Sequence, residues 1–95
     1  MHVISYRKIR EFIEAHPSAK AALNSWYKVA KKAQWSNLAE VRQTYPGTDL
    51  VRGVLVFNVG GNNYRLIAGI AYRIKTIYIK GVYTHAEYDK DDWKT

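Results

Sequence analysis

Apolar residues recur along this chain with two periods, and the change between them separates a helical N-terminal half from a strand-rich C-terminal half. Val3-Ile4 predicts a short first strand. Ser5 follows at an N-cap position, and Ile9, Phe12 and Ile13 repeat at i, i+3, i+4 to make one apolar helix face. His16-Pro17 ends that helix, because proline disfavours helical geometry in the residue before it, and Pro17 suits the first turn of the next helix. The second helix is expected over about Ser18 to Ala33, with Ala22, Leu23, Trp26, Val29, Ala30 and Ala33 on one side. Lys28, Lys31 and Lys32 fall mostly on the other side, near the C-terminal end where cations suit the helix dipole. Asn37 with Glu40 three residues later has the form of a capping box for a short third helix, stopped by Tyr45-Pro46-Gly47.

Beyond Gly47 the pattern is that of strands. Val51 to Asn58 is valine-rich, Gly60-Gly61-Asn62-Asn63 is a turn, and Tyr64 to Tyr72 is a second strand. A tight turn around Arg73 to Lys75 leads into Thr76 to Tyr83. Short turns imply antiparallel neighbours, so these strands form a meander. From Ala86 onward the chain is charged and reads as a frayed or short terminal helix. The expected fold is a single α+β domain over residues 1–95, with N-terminal helices on a small, mainly antiparallel sheet and a short C-terminal helix.

Strand residues alternate faces, which places Tyr64, Leu66, Ala68, Ile70 and Tyr72 on one side of the second long strand. Arg65, Ile67, Gly69, Ala71 and Arg73 take the other. Arg65 and Arg73 then lie about 26 Å apart along an extended strand and cannot hold one phosphate. Arg65, beside the turn, is the stronger site candidate, and Arg73 a candidate RNA contact that reads more as a solvated turn residue. Lys80 is expected mid-strand on the face of Tyr78 and Val82, as another candidate RNA contact. Gly69 and Gly81 inside strands call for a bulge or a close-packed helix.

The 95-residue length allows one core, burying roughly 60–65% of the unfolded chain's surface. Hydrophobic content of 47% is ordinary for a globular protein. With no cysteine, disulfides, thiolate metal sites and thiol nucleophiles are excluded. No apolar run is long enough to span a bilayer and the N-terminus has no signal-peptide core, so a soluble, cytoplasmic protein is expected. Fifteen Lys and Arg face eight Asp and Glu, a net charge of +7. That balance favours a polyanionic partner, nucleic acid or an acidic protein, over charge kept for solubility alone. The basic residues are spread along the chain, which argues against a membrane-binding amphipathic helix.

Most chemical motifs fail on inspection. His2, His16 and His85 have no metal spacing, and neither metal nor cofactor is expected. Gly60-Gly61 is not followed by a phosphate-loop lysine, and its glycines are explained by turn geometry. Trp26 and Trp35 read as core residues rather than stacking platforms. Arg65, His85 and Tyr88 survive as a constellation. RNA carries its own nucleophile, the 2′-hydroxyl, so cleavage needs a base, a cation for the dianionic phosphorane and an acid for the 5′ oxygen. Histidine suits the first or last role and arginine the second. A His and a Tyr three apart at a helix start are also commonly a cap and a packing residue.

The run Phe57-Asn58-Val59-Gly60-Gly61-Asn62, then Tyr64-Arg65-Leu66-Ile67, Ile79 with Val82, and Thr84-His85 with Glu87-Tyr88-Asp89, resembles the HigB toxins of bacterial type II toxin–antitoxin systems. These belong to the RelE superfamily of mRNA interferases, and the likeness extends over the whole chain. It implies a RelE-like α+β fold and cleavage of mRNA, typically on the translating ribosome. It also implies neutralisation by a HigA-type helix-turn-helix antitoxin, with DNA met only indirectly through the antitoxin complex. Arg65 matches the strand arginine that RelE-like toxins use against the scissile phosphate, and Tyr88 matches the C-terminal tyrosine. His85 stands near the place of a second arginine in many relatives, which leaves the general base open. Lys80 and Lys90 are further RNA-binding candidates that the motif does not fix. Two rivals remain: a toxin of the same fold that binds and inhibits DNA gyrase, as ParE relatives do, and a non-catalytic basic RNA- or ribosome-binding module.

Overall fold

The apolar stripes and alternating strands assemble, in the computed structural model, into helices packed on one face of a five-stranded sheet; residues 1–90 are described. In chain order the elements are β1 (His2–Ile4), α1 (Tyr6–Ala15), a 3₁₀ turn (Pro17–Ala19), α2 (Lys20–Lys32) and α3 (Leu38–Thr44). Then come β2 (Asp49–Val51), β3 (Val54–Val59), β4 (Tyr64–Ala71), a 3₁₀ turn (Tyr72–Ile74), β5 (Thr76–Thr84) and α4 (His85–Asp89). The sheet order is β1-β5-β4-β3-β2; β2 through β5 form an antiparallel meander, and β1 adds in parallel beside β5. The expected α+β fold and mainly antiparallel sheet are what the chain adopts.

Helix stripes and inward strand residues meet in one core. Ile9, Leu23, Trp26, Ala30 and Val41 close on Leu55, Phe57, Leu66, Ala68, Ile77 and Ile79, all buried. Trp26 packs edge-on against Phe57 with ring centroids 5.3 Å apart, and Trp35 stacks on the same ring at 6.4 Å. Both tryptophans are therefore core residues, as expected.

Four local expectations are corrected. Ser5 precedes α1 with φ 73° and no side-chain cap; its carbonyl accepts from Lys8 N instead. Pro17 opens a 3₁₀ turn, so α2 starts at Lys20. The valine-rich run is not one strand, because Arg52 and Gly53 both take positive φ (52° and 82°) and close a two-residue hairpin between Val51 and Val54. The third helix is capped by Asn37, whose side chain accepts from Glu40 N, but the Glu40 carboxylate accepts from Ser36 N rather than from the cap itself.

A fifth correction concerns β5. Ile67 pairs with Gly81 and Ala68 with Ile79, so Lys80 is an extra residue with no partner in β4. Such a bulge reverses the alternation. Ile77 and Ile79 face the core before it, and Val82 faces the core after it. Lys80 and Tyr78 therefore do not share a face with Val82. Gly69 and Gly81 make room for side chains rather than for a helix: a Cβ built on Gly69 would meet Lys80 Cε at 3.1 Å, and one on Gly81 would meet Tyr83 at 2.8 Å.

Candidate active site

Where the β3–β4 turn meets the start of α4, three sequence-predicted residues come together. The turn reverses through Gly60 (φ 65°) and Gly61 (φ 66°), and its Asn63 carbonyl accepts from His85 N at 2.9 Å. Arg65 follows on β4, between Asn58 of β3 and Tyr83 of β5 in the strand register, on the face turned away from the helical core. It is 7% exposed. Its Nη1 donates to the carbonyls of Asn62 (3.3 Å) and Tyr64 (3.1 Å), and its Nη2 to Asn62 Oδ1 (2.7 Å).

A reciprocal capping box fixes where α4 begins. Thr84 Oγ1 accepts from Glu87 N (3.1 Å), and Glu87 Oε1 accepts from Thr84 N (2.8 Å). His85 is consequently the first helical residue, and Tyr88 and Asp89, three and four residues on, share its face. Arg65 Nη2 lies 2.8 Å from His85 Nδ1. The Arg65 guanidinium carbon stands 5.7 Å from the centre of the Tyr88 ring, within cation–π range. His85 Nε2 is 3.1 Å from Asp89 Oδ2.

These contacts select a protonation pattern. A guanidinium has donors and no acceptor, so His85 Nδ1 must accept from Arg65. The imidazole is then neutral, with its proton on Nε2 and donated to Asp89. The arrangement is a chain of three: cation, neutral imidazole, carboxylate.

The remaining candidates stand apart from this chain. Lys80 is exposed at the bulge, and Lys90 caps the end of α4 on the site's own helix. Arg73 lies in the 3₁₀ turn beyond the other end of β4, so the structure does not bring it to Arg65. Among the described residues, no group of three or more His, Asp or Glu is placed to hold a metal ion, and no helix is long and apolar enough to cross a membrane.

A family model for the HigB toxin, described as the RelE-like toxic component of a toxin–antitoxin system, matches residues 19–91. The chain belongs to the HigB toxin family. It is 38% identical over 93 residues to the mRNA interferase HigB of Escherichia coli O6:H1 strain CFT073, covering 95% of this chain and 90% of the relative. It is 29% identical over 92 residues to the mRNA interferase toxin HigB of Escherichia coli K12, covering 94% and 88%. Family membership as the toxic component carries with it an antitoxin partner. Arg65, His85, Tyr88 and Asp89 all fall inside the stretch that matches the HigB family.

Two members of the cluster were not singled out from sequence. Asp89 stands in the charged stretch after Ala86, and its i, i+4 spacing from His85 is a usable signal once the helix start is known. Asn62 belongs to the turn that the sequence predicts, and it also orients Arg65. The start signal itself, Thr84 three residues before Glu87, is a capping box legible in the sequence.

Proposed function

We propose that this HigB-family toxin is an endoribonuclease that cleaves mRNA without a metal ion, with the Arg65–His85–Asp89 chain as its reactive centre. The observation that carries the reading is the 2.8 Å contact between Arg65 Nη2 and His85 Nδ1, in a chain whose relatives are named mRNA interferases. An arriving phosphate competes with His85 for the guanidinium, as a bidentate charge-assisted pair is stronger than a bond to a neutral imidazole. Once Arg65 turns to the phosphate, the Nδ1 lone pair is free to take the 2′-hydroxyl proton. Asp89, already bound at Nε2, stabilises the imidazolium that forms. Arg65 opposes the charge building on the phosphorane. Tyr88, the remaining proton-bearing side chain of the cluster, serves the departing 5′ oxygen.

The net charge of +7 suits a polyanionic substrate, and Lys80 and Lys90 are its further RNA contacts. Arg73, at the far end of the sheet, would touch only RNA that extends well beyond the cut. We assign the substrate to mRNA on the translating ribosome, the partner to a HigA-type helix-turn-helix antitoxin and the location to the cytoplasm. DNA is reached only through that antitoxin.

The test is induction from a tight promoter, with mRNA 5′ ends mapped within minutes beside Arg65→Ala and His85→Ala variants. New cuts inside translated regions that vanish in both variants, with antitoxin binding retained, are expected. Growth arrest without new cuts would overturn the ribonuclease reading and direct attention to gyrase. RNA binding without cuts would leave a non-catalytic module.

A further inference from the structure

Beside Arg65, on the same sheet face, stands an aromatic side chain that the reaction described above does not use. Tyr83 is directly opposite Arg65 in the β4–β5 register. It is half-buried and lies outside the hydrophobic core, whereas its neighbour Val82 packs into that core. The phenol end of Tyr83 bends along β5 over Gly81. A Cβ built there would lie 2.8 Å from Tyr83 Cε2 and Oη and 3.0 Å from Cζ. Any larger residue at 81 displaces the ring. One residue further, the bulge leaves Lys80 exposed, with its side chain laid over Gly69: Cε is 3.1 Å and Nζ 3.9 Å from a Cβ built on that glycine. Arg65, Tyr83 and Lys80 thus follow one another along the sheet face opposite the helical core in the order cation, ring, cation. Gly69 is four residues from Arg65 on β4, so the two cations are separated by roughly 13 Å of strand.

Single-stranded RNA is held by aromatic rings that take its bases and cations that take its phosphates. We propose that Tyr83 is the base-stacking residue of this site, taking a nucleobase beside the scissile phosphate, and that Lys80 holds a neighbouring phosphate. The proposal rests on the ribonuclease reading and specifies how the strand lies: from Arg65 along β5 toward the bulge, over the two glycines. Gly81 has a positional meaning in this arrangement, since it is the seat that lets the ring lean along the sheet. Among the described residues, Trp26 and Trp35 do not compete for the role, because they are 2% and 4% exposed.

The test uses the full chain and two fluorescent, uncleavable probes: a short 2′-O-methyl oligoadenylate, and an abasic oligomer with the same backbone and length. Binding is followed by anisotropy at several salt concentrations. The wild type is expected to prefer the oligoadenylate. Tyr83→Leu should weaken that probe roughly five- to a hundred-fold, the range for losing one base stack, and leave the abasic probe unchanged. Tyr83→Phe should bind as the wild type does, which separates stacking from a hydrogen bond by the hydroxyl. Gly81→Ala should fall between, with the ring present but displaced. Lys80→Ala should weaken both probes alike and flatten the log–log salt dependence by about 0.7. Equal wild-type binding of the two probes, or no measurable binding of either, would overturn the proposal. So would equal loss of both in Tyr83→Leu, provided its thermal melt matches that of the wild type, or a matching loss in Tyr83→Phe. The ribonuclease reading fails separately. Cuts in cells that are indifferent to Tyr83 remove the stacking role alone, and an absence of cuts removes the reaction.

Discussion

Arg65 and His85 are 20 residues apart in sequence, yet Nη2 of one lies 2.8 Å from Nδ1 of the other. The contact joins a strand to a helix start, and it is held from both sides. Asn62 fixes the guanidinium, and the Thr84–Glu87 capping box fixes the first turn of α4. The cation therefore meets an imidazole whose tautomer is already chosen.

Asp89 should matter through His85. Asp89→Asn removes the charge that stabilises an imidazolium while keeping a partner for Nε2. Its cleavage rate on a ribosome-bound message is expected to fall about ten- to a hundred-fold, the scale of a hydrogen bond to a charged group. His85→Ala should lose more, roughly 10²- to 10⁴-fold. If Asp89→Asn cuts at the wild-type rate, the carboxylate has no part in the reaction.

Thr84→Ala tests the link between helix start and chemistry. Loss of the cap should lower stability by about 1 kcal/mol, seen as a fall of roughly 4–8 °C in the melting temperature of a domain this size. Cleavage measured well below the melt should fall too, because His85 loses its fixed start. A lowered melt with full activity would mean that His85 is positioned by Arg65 and Asp89 alone.

Arg52 should be a site of easy stabilisation. It sits at φ 52° in a two-residue hairpin whose other residue is Gly53, and non-glycine residues pay a steric penalty there. Asn is the favoured partner of Gly in such turns. Arg52→Asn is expected to raise stability by roughly 0.5–1 kcal/mol in urea unfolding. An unchanged or lower midpoint would show that the arginine's own contacts outweigh the backbone term.

Stability should fall at alkaline pH for a local reason. Burial raises the Tyr45 phenol above its ordinary 10.0, and burial raises Tyr72 as well, with Arg42 partly opposing it. The folded state thus keeps these protons longer than the unfolded chain does. Their contribution is fully present below about pH 10 and is lost as pH rises through the folded values. Urea midpoints taken from about pH 8 to about pH 11 should decline above pH 10, and Tyr45→Phe should decline less. Parallel curves for the two proteins would assign the loss to other groups.

The stripe Ile9, Phe12, Ile13 and the long face around Trp26 were enough to place two helices, and Gly60 to Asn63 enough to place the turn beside Arg65. These features are local, because period and turn chemistry act over a few residues. The valine run misled for the same reason: Val51 and Val54 continue the β pattern across Arg52-Gly53, and only the backbone reversal there separates two strands.

By itself, the sequence determined the α+β class, the order of its main elements, the basic charge and the residue types able to cleave a phosphodiester with RNA's own hydroxyl. Tertiary structure alone decided that β1 pairs in parallel with β5, that Lys80 is the extra residue of a bulge, and that Arg65 meets His85 and, through it, Asp89. The physical reason is range. Periodicity, caps and turns record interactions between near neighbours, whereas register and proximity across 20 residues emerge only when packing has chosen among the pairings that local signals leave open.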